Sequence, residues 1–319
     1  MHGPRHKTLT LLGVALALGA GITGGQNFPI KPIRIVTAEA GGGSDFPARI
    51  VAQGLTESLG QPVIVENRPS GVIPAETVSK ASPDGYTLIV GAGSLWITPL
   101  LQKTSYDPVR DFSPITIIVT TPLVLVVHST LPVASVQELI SLAKARPGEL
   151  NYGSLPVGST GHLSTELFKS MANVNIVRIP YKGTASAIND LISGEVQLMF
   201  SNAAPVMPHV KSGRLKALAV TTAQPSSLTP GLPTLAETLT GYQAGVFTGI
   251  FAPAGTPAAV ISKLNLEIVR IIKSPDVKER FFTAGSEIVG NSPQEFSDFI
   301  NTDMARMGRL IKTIGIHAE

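Results

Sequence analysis

The sequence predicts an α/β protein built from two lobes that face one ligand. Three observations support this prediction. Short β-branched segments alternate with helical patterns almost throughout the 319 residues, which is typical of βα units around largely parallel sheets. A strand that runs into a glycine-rich turn and a helix start occurs twice, far apart in the chain. Without a leader of 25 residues, about 294 residues remain, enough for two domains.

The N-terminus has the layout of a secretory signal peptide. Arg5 and Lys7 precede an uncharged apolar run over residues 9–22, and small residues follow before Gln26. The run is shorter than the ~20 residues that span a bilayer. We therefore expect residues 1–25 to form a signal peptide, cleaved between Ala20 and Gln26, and the mature protein to lie in the periplasm.

The composition excludes several functional classes. With no cysteine, the chain has no disulfide, no thiolate metal site and no Cys nucleophile. Loss of the leader lowers the formal net charge from +3 to +1, and basic residues do not cluster with aromatic ones, so we expect no nucleic-acid partner. The six histidines show no paired metal-ligand spacing, so we expect neither a metal site nor a cofactor.

Strands and helices can be placed from local signals. The strand candidates are residues 33–36, 63–65, 87–90, 123–127, 150–154, 176–179, 196–200 and 215–220. Helix starts are indicated by two Ser/Glu capping boxes and by two N-cap residues followed by proline: Ser135 with Glu138, Ser292 with Glu295, Thr256-Pro257 and Ser274-Pro275. Residues after 255 are therefore predicted to be mostly helical.

Two glycine-rich bends are the candidate ligand-binding elements. The first covers residues 41–45 after the strand at 33–36, and the second covers residues 158–162 after the strand at 150–154. Glycine allows close backbone approach, and the first helical turn leaves N–H groups without intrahelical partners, so each bend can bind an anion. The first bend matches neither the Walker pattern nor Gly-x-Gly-x-x-Gly, so we expect no nucleotide.

Several residues near these bends have two interpretations. Ser159 and His162 could act as a nucleophile and base, although no Gly-x-Ser-x-Gly elbow and no acidic partner accompany them. His162 could instead donate to a ligand oxygen or stabilise its turn. Lys182 could pair with a carboxylate or remain solvated, and Trp96 and Phe247 could stack on a planar ligand or simply pack.

A series of motifs in the same order resembles the Bug solute receptors of tripartite tricarboxylate transporters. The matching stretches are Lys31-Pro32-Ile33-Arg34, Gly41-Gly42 with Asp45, Glu66-Asn67-Arg68-Pro69, Asp84-Gly85-Tyr86-Thr87-Leu88, Tyr106-Asp107-Pro108, Leu150-Asn151-Tyr152, Gly158 with His162-Leu163, Pro180-Tyr181-Lys182-Gly183, and Ala252-Pro253-Ala254-Gly255-Thr256-Pro257. The resemblance implies a type II periplasmic-binding-protein fold with two crossover segments and a small carboxylate ligand in the central cleft.

No low-complexity linker separates the lobes, so we place one crossing near residues 120–127 and a return near residues 242–249, and the resemblance implies the site residues. Lobe 1 comprises residues 26–122 plus 247–319, and lobe 2 comprises residues 123–246. The ligand-binding residues it implies, taken from both bends and from further cleft positions, are Ala38, Glu39, Ala40, Gly41, Gly42, Gly43, Asp45, Ser94, Ser154, Ser159, Thr160, His162, Tyr181, Lys182, Gly183, Asn202 and Phe247. Asp45 could instead be a residue of the first helical turn that makes no contact with the ligand.

The expected function is a monomeric, non-catalytic receptor that passes a small organic acid to membrane transporter subunits or to a sensor protein. The alternative is a secreted hydrolase acting on a small carboxylic acid or ester. The chain departs from the family at Glu39-Ala40 before the two glycines, at Phe247-Thr248-Gly249, and in a shorter loop after Pro69. Because a carboxylate at Glu39 repels a second anion nearby, we expect it to favour a ligand with an amine or amide beside its carboxylate.

Overall fold

A computed structural model describes residues 28–69 and 71–315. The predicted signal peptide over residues 1–25 lies outside the described residues. In chain order the strands are β1 (Ile33–Thr37), β2 (Val63–Asn67), β3 (Thr87–Ala92), β4 (Phe112–Thr121), β5 (Leu123–His128), β6 (Asn151–Ser154), β7 (Val177–Pro180), β8 (Leu198–Asn202), β9 (Leu215–Val220), β10 (Val246–Pro253) and β11 (Glu287–Ile288).

The helices alternate with these strands, as predicted. They are α1 (Asp45–Leu59), α2 (Ile73–Ser79), α3 (Ser94–Leu101), α4 (Val136–Ala145), α5 (Thr160–Ala172), α6 (Thr184–Ser193), α7 (Ala203–Lys211), α8 (Ala258–Ile272), α9 (Pro275–Thr283) and α10 (Pro293–Ile314). None of the helices in the described part of the chain is long and apolar enough to cross a membrane.

The strands form two separate sheets. The first sheet has the order β11-β4-β10-β3-β1-β2, and the second has the order β7-β6-β8-β5-β9. The prediction of a two-sheet α/β fold is confirmed. The prediction of largely parallel sheets is wrong, because β10 runs antiparallel to both β3 and β4, and β5 runs antiparallel to both β8 and β9. These antiparallel strands lie at the ends of the segments that carry the chain between the sheets.

Two crossover segments join the sheets and are hydrogen-bonded to each other. The chain passes from β4 into β5 at Pro122 and returns from β9 to β10 through residues 221–245. The hydroxyl of Thr221 accepts the N–H of Leu123 at 2.9 Å, and its carbonyl accepts the N–H of Ala244 at 2.9 Å. The first sheet contains strands from residues 33–121 and 246–288 and the second from 123–220; the lobe boundaries remain a prediction.

The N-termini of the helices match the predicted N-caps, except that one N-cap lies one residue later than predicted. The Ser135 hydroxyl accepts the Glu138 N–H, and Ser292 with Glu295 forms a complete capping box. Pro275 occupies the first turn of α9, as predicted. At α8 the N-cap is Pro257 rather than Thr256, because the Thr256 hydroxyl donates to the Pro253 carbonyl and closes the preceding turn.

Candidate functional site

Three helices begin at one edge of the second sheet, each directly after a strand of that sheet. Because α5 follows β6, α6 follows β7 and α7 follows β8, their N-termini lie at the carboxyl ends of neighbouring strands. A cavity of about 390 Å³ at this edge is lined by four of the predicted residues, Ser154, Ser159, Thr160 and Asn202. Unpaired N–H groups and helix dipoles converge here, which is a favourable environment for an anion.

The second glycine-rich bend is held by its own side chains. The Ser159 hydroxyl caps α5 by accepting the backbone N–H of His162, and the Gly158 N–H donates to His162 Nδ1 at 3.2 Å. Gly158 has a φ of 81°, a left-handed conformation that favours glycine. This arrangement is a helix cap and a stabilised turn, rather than a hydroxyl donating to an imidazole base.

His162 is neutral in this setting. Only 4% of the residue is exposed. Burial, and next the charge of Arg178, lower the pKa of His162 to about 4. Because Nδ1 accepts a hydrogen bond, the imidazole proton resides on Nε2. The turn-stabilising interpretation of His162 therefore matches the geometry of the bend.

Arg178 is a component of this edge that the sequence analysis missed. Its Nε donates to the Ser154 hydroxyl at 3.2 Å, and its Nη2 donates to the Leu155 carbonyl at 2.9 Å. The guanidinium therefore holds the end of β6 and places a positive charge beside the sheet edge where α5, α6 and α7 begin. A basic residue inside a short strand, just before the 180–183 turn, is the signal that could have identified it.

A second cavity lies between the two lobes. It measures about 220 Å³, and predicted residues from both lobes line it: Ser94, Thr160 and Phe247. Ser94 is the first residue of α3, and Thr160 is the first residue of α5. Two helix N-termini, one from each sheet, therefore contribute to the wall of one cavity.

The first glycine-rich bend has a self-contained hydrogen-bond network. The Asp45 carboxylate accepts the Gly41 N–H at 2.9 Å, Arg49 Nε at 3.0 Å and Asn67 Nδ2 at 2.8 Å. Asn67 Nδ2 also donates to the Ala38 carbonyl at 2.7 Å. Although burial raises the pKa of Asp45, these hydrogen bonds outweigh it and hold the value below its usual range. Asp45 thus starts α1 and shapes the bend, and the structure assigns Asn67 a role in holding it.

The remaining predicted residues occupy varied positions. Residues 38–43 follow β1, beside the end of β3 where Ser94 lies, but they do not line either cavity. The Tyr181 hydroxyl donates to Asp190 at 2.8 Å, Lys182 is exposed, and Gly183 is the N-cap of α6. Phe247 packs against Phe299 with ring centroids 4.6 Å apart.

The sequence and the fold of this chain resemble those of known transport receptors. A family model described as "Tripartite tricarboxylate transporter family receptor" matches residues 47–316. Protein BugT of Bordetella pertussis is 35% identical over 321 residues, which cover 97% of this chain and 98% of BugT. The R. palustris protein Rpa4515, solved with adipate, is 38% identical with a TM-score of 0.68, covering 91% of this chain and 99% of that chain.

A third relative was solved with no ligand. This TctC solute binding protein from Polaromonas is 27% identical, covers 90% of this chain and 99% of its own, and has a TM-score of 0.84. The backbone therefore resembles the ligand-free relative more than the adipate-bound one, despite the lower sequence identity. Since the family model covers most of the sequence and the relatives match nearly their whole length, the chain belongs to the TctC, or Bug-type, family of periplasmic solute-binding receptors.

Proposed function

We propose that this protein captures a small organic acid between its two lobes, leaves it chemically unchanged, and delivers it from the periplasm to membrane transporter subunits. The lobes comprise residues 26–122 with 247–319, and residues 123–246. The observation that carries the proposal is the interlobe cavity, to which α3 of one sheet and α5 of the other both present their N-termini.

A carboxylate is the ligand group that suits these helix ends. A helix N-terminus stabilises an anion by ~0.3–1 kcal/mol when exposed and up to ~2 kcal/mol when partly buried. The Ser94 and Thr160 hydroxyls add donors at the same cavity. Adipate, the acid bound by the R. palustris relative, is a carboxylate, which supports the assignment.

The family supports the transporter as the receiving partner. Its description names a receptor of a tripartite tricarboxylate transporter, so the loaded receptor is expected to dock on the membrane subunits of such a system. A sensor protein is the alternative recipient. Binding of the loaded receptor to vesicles that contain the transporter subunits, compared with the unloaded receptor, distinguishes these two outcomes.

Lobe closure is the conformational step that the proposal requires. The TM-score is 0.84 with the ligand-free relative and 0.68 with the adipate-bound one, which supports an open form, the state expected before closure. A ligand shifts the balance between open and closed forms only by binding the closed form better. The crossover segments, joined through Thr221, are the expected hinge because the described chain passes between the two sheets only there.

A contact between the lobes opposes this closure. In the first sheet the crossover strands β4 and β10 lie between β3, on the cavity side, and β11. On the β11 side, Glu287 Oε1 accepts the N–H of Ser227 at 2.6 Å and its hydroxyl at 2.7 Å. A rotation that closes the cavity side about the crossover strands lengthens contacts on the opposite side. The Ser227–Glu287 contact therefore stabilises the open form.

Substitution of Thr160 by Asp tests the binding site directly. The new carboxylate lies at the first position of α5, where it stabilises the helix but occupies the anion site. We expect T160D to abolish the binding of organic acids in titration calorimetry. The control S170D adds the same charge to an exposed position of the same helix and retains binding. If T160D binds acids as tightly as the wild type, the proposed site is wrong.

The receptor and hydrolase alternatives are separated by the fate of the ligand. Incubation of the mature protein with a bound acid, followed by NMR of the released material, is expected to return the acid unchanged at one equivalent per chain. Consumption of an acid or ester that is abolished in H162Q would support the hydrolase and contradict the receptor. In the structure His162 Nδ1 is already occupied by the Gly158 N–H, which favours the receptor.

A further inference from the structure

A second large cavity, here called the β11-side cavity, lies beside the crossover segments on the β11 side of the first sheet. It measures about 950 Å³. One wall is the return crossover, mainly residues 222–225, and the other wall is formed by α9, β11 and the start of α10. The strands β4 and β10 contribute Ile117, Thr120 and Phe247. The volume is several times that of the interlobe cavity and lies in the range of sites for small organic molecules.

The interior of the β11-side cavity is mostly apolar and aromatic. Ile288, Val289 and Phe299 line it from β11, the residue after it and α10. The rings of Phe247 and Phe299 pack with centroids 4.6 Å apart. Phe282 of α9 lines the cavity while 49% of the residue remains exposed. Covering these side chains with the apolar body of a ligand is therefore favourable.

The charged groups of the β11-side cavity are predominantly acidic. The lining holds three carboxylates, from Glu279, Glu287 and Glu295, and in the described chain its single cation is Lys278, since nearby Lys273 is not part of it. Among the described residues, none of these glutamates forms a salt bridge with lysine or arginine. Glu287 and Glu295 accept hydrogen bonds from neutral serine groups, which leave the negative charges in place. The lining therefore has a net negative charge, which favours a cation over an anion.

We propose that the β11-side cavity binds an organic cation with an aromatic or alkyl body, of the arylalkylamine class, and that the bound cation holds the receptor open. The apolar body packs against Phe282 and Phe299, and the ammonium group lies against the carboxylates of Glu279 and Glu287. This site is separate from the interlobe cavity proposed for the organic acid, although Phe247 lines both.

The position of the β11-side cavity couples its occupancy to lobe closure. Its two walls are joined by the Ser227–Glu287 contact, which lengthens when the opposite side closes. A molecule that contacts both walls loses contacts as they separate, so it binds the open form better. By linkage it weakens the binding of an organic acid, and the acid weakens its binding by the same factor. This second half of the inference rests on the proposed function, since it needs an acid that closes the lobes.

Direct binding of phenethylamine tests the site. At neutral pH phenethylamine is a cation, and phenethyl alcohol is a neutral molecule of nearly the same shape. In NMR titrations of the wild type we expect a Kd on the order of 1 mM or below for the amine, about fivefold or more tighter than for the alcohol. In E279Q/E287Q/E295Q the two affinities should become nearly equal. The glutamines keep oxygen acceptors for Ser227 and Ser292, so this variant should melt cooperatively.

Two further variants separate the site from general effects of charge. E57Q/E149Q/E195Q removes three exposed carboxylates that do not line the cavity and should keep the wild-type preference for the amine. F282A removes a half-exposed ring and should weaken the binding of amine and alcohol alike, by about threefold or more. Equal wild-type affinities for amine and alcohol, a preference that survives in E279Q/E287Q/E295Q, or unchanged binding in F282A overturns the site.

Titration calorimetry with adipate, with and without saturating phenethylamine at matched ionic strength, tests the effect on closure. We expect the amine to weaken adipate binding by about fivefold or more in the wild type and to have no effect in E279Q/E287Q/E295Q. If the amine binds as expected but leaves the adipate affinity unchanged, the hold-open role is wrong. If the wild type binds no organic acid, the proposed function and the hold-open role both fail, whereas the site itself stands or falls with the phenethylamine titration.

Discussion

The protonation of His162 makes a quantitative prediction about stability and pH. Burial lowers the pKa of His162 to about 4 in the native state, whereas an unfolded histidine has a pKa of ~6.5. The pKa of His162 is lower in the native state than in the unfolded state. The stabilisation that comes from the neutral imidazole is therefore fully present at pH values above the pKa of the unfolded state. This stabilisation is lost as the pH falls toward 4.

The magnitude follows from the two pKa values. Between about pH 7.5 and about pH 5 the linkage relation gives a loss of about 2 kcal/mol in the free energy of unfolding from this residue alone. H162Q removes the titration. The gap in stability between wild type and H162Q should therefore shrink by about 2 kcal/mol over the same pH interval.

Urea unfolding of both proteins at the two pH values measures this gap. S159A is the matched control, because it removes the cap of α5 but keeps the imidazole. It should cost about 1 kcal/mol at both pH values. Equal loss of stability by wild type and H162Q on acidification would refute the reasoning and show that His162 does not titrate below its ordinary range in the fold.

Three further substitutions test packing, a buried hydrogen bond and the hinge. G249A places a Cβ 2.3 Å from Phe296 Cζ, so we expect about 1–3 kcal/mol of destabilisation in urea unfolding; wild-type stability would contradict this contact. W96F removes the donor to buried Asp303 and should cost about 1–3 kcal/mol, whereas an unchanged urea midpoint argues against that hydrogen bond. E287A breaks the Ser227–Glu287 contact that stabilises the open form, so we expect it to tighten acid binding by up to about fivefold in titration calorimetry. Equal or weaker binding would contradict the proposed closure about the crossover segments.

Much of the fold was predictable because its signals are local. The strand at Leu215–Val220 and the capping box at Ser292 lie where the sequence placed them. The bend before α5 was also recognisable, since Gly158, Ser159 and His162 contact one another within one helical turn. Such interactions depend on residues a few positions apart, and their sequence patterns are therefore informative.

The long crossover strands were not predicted as strands. Both β4 and β10 are buried along most of their length, so they lack the alternation of polar and apolar residues that marks a half-exposed strand. Pro114 and Gly249 within them further weaken the strand signal. Whether these strands pair in parallel or antiparallel depends on the direction in which the chain returns from one lobe to the other. That direction is a property of the whole topology, and no local sequence pattern records it.

The sequence by itself determined the family, the order of elements and the position of the second glycine-rich bend of this protein. Only the tertiary structure decided that Ser94 rather than the first bend lines the interlobe cavity, and that Trp96 and Asp303 meet there across 207 positions of the chain. The physical reason is that a cavity wall is assembled from segments distant in sequence, whose approach depends on the packing of whole helices and sheets.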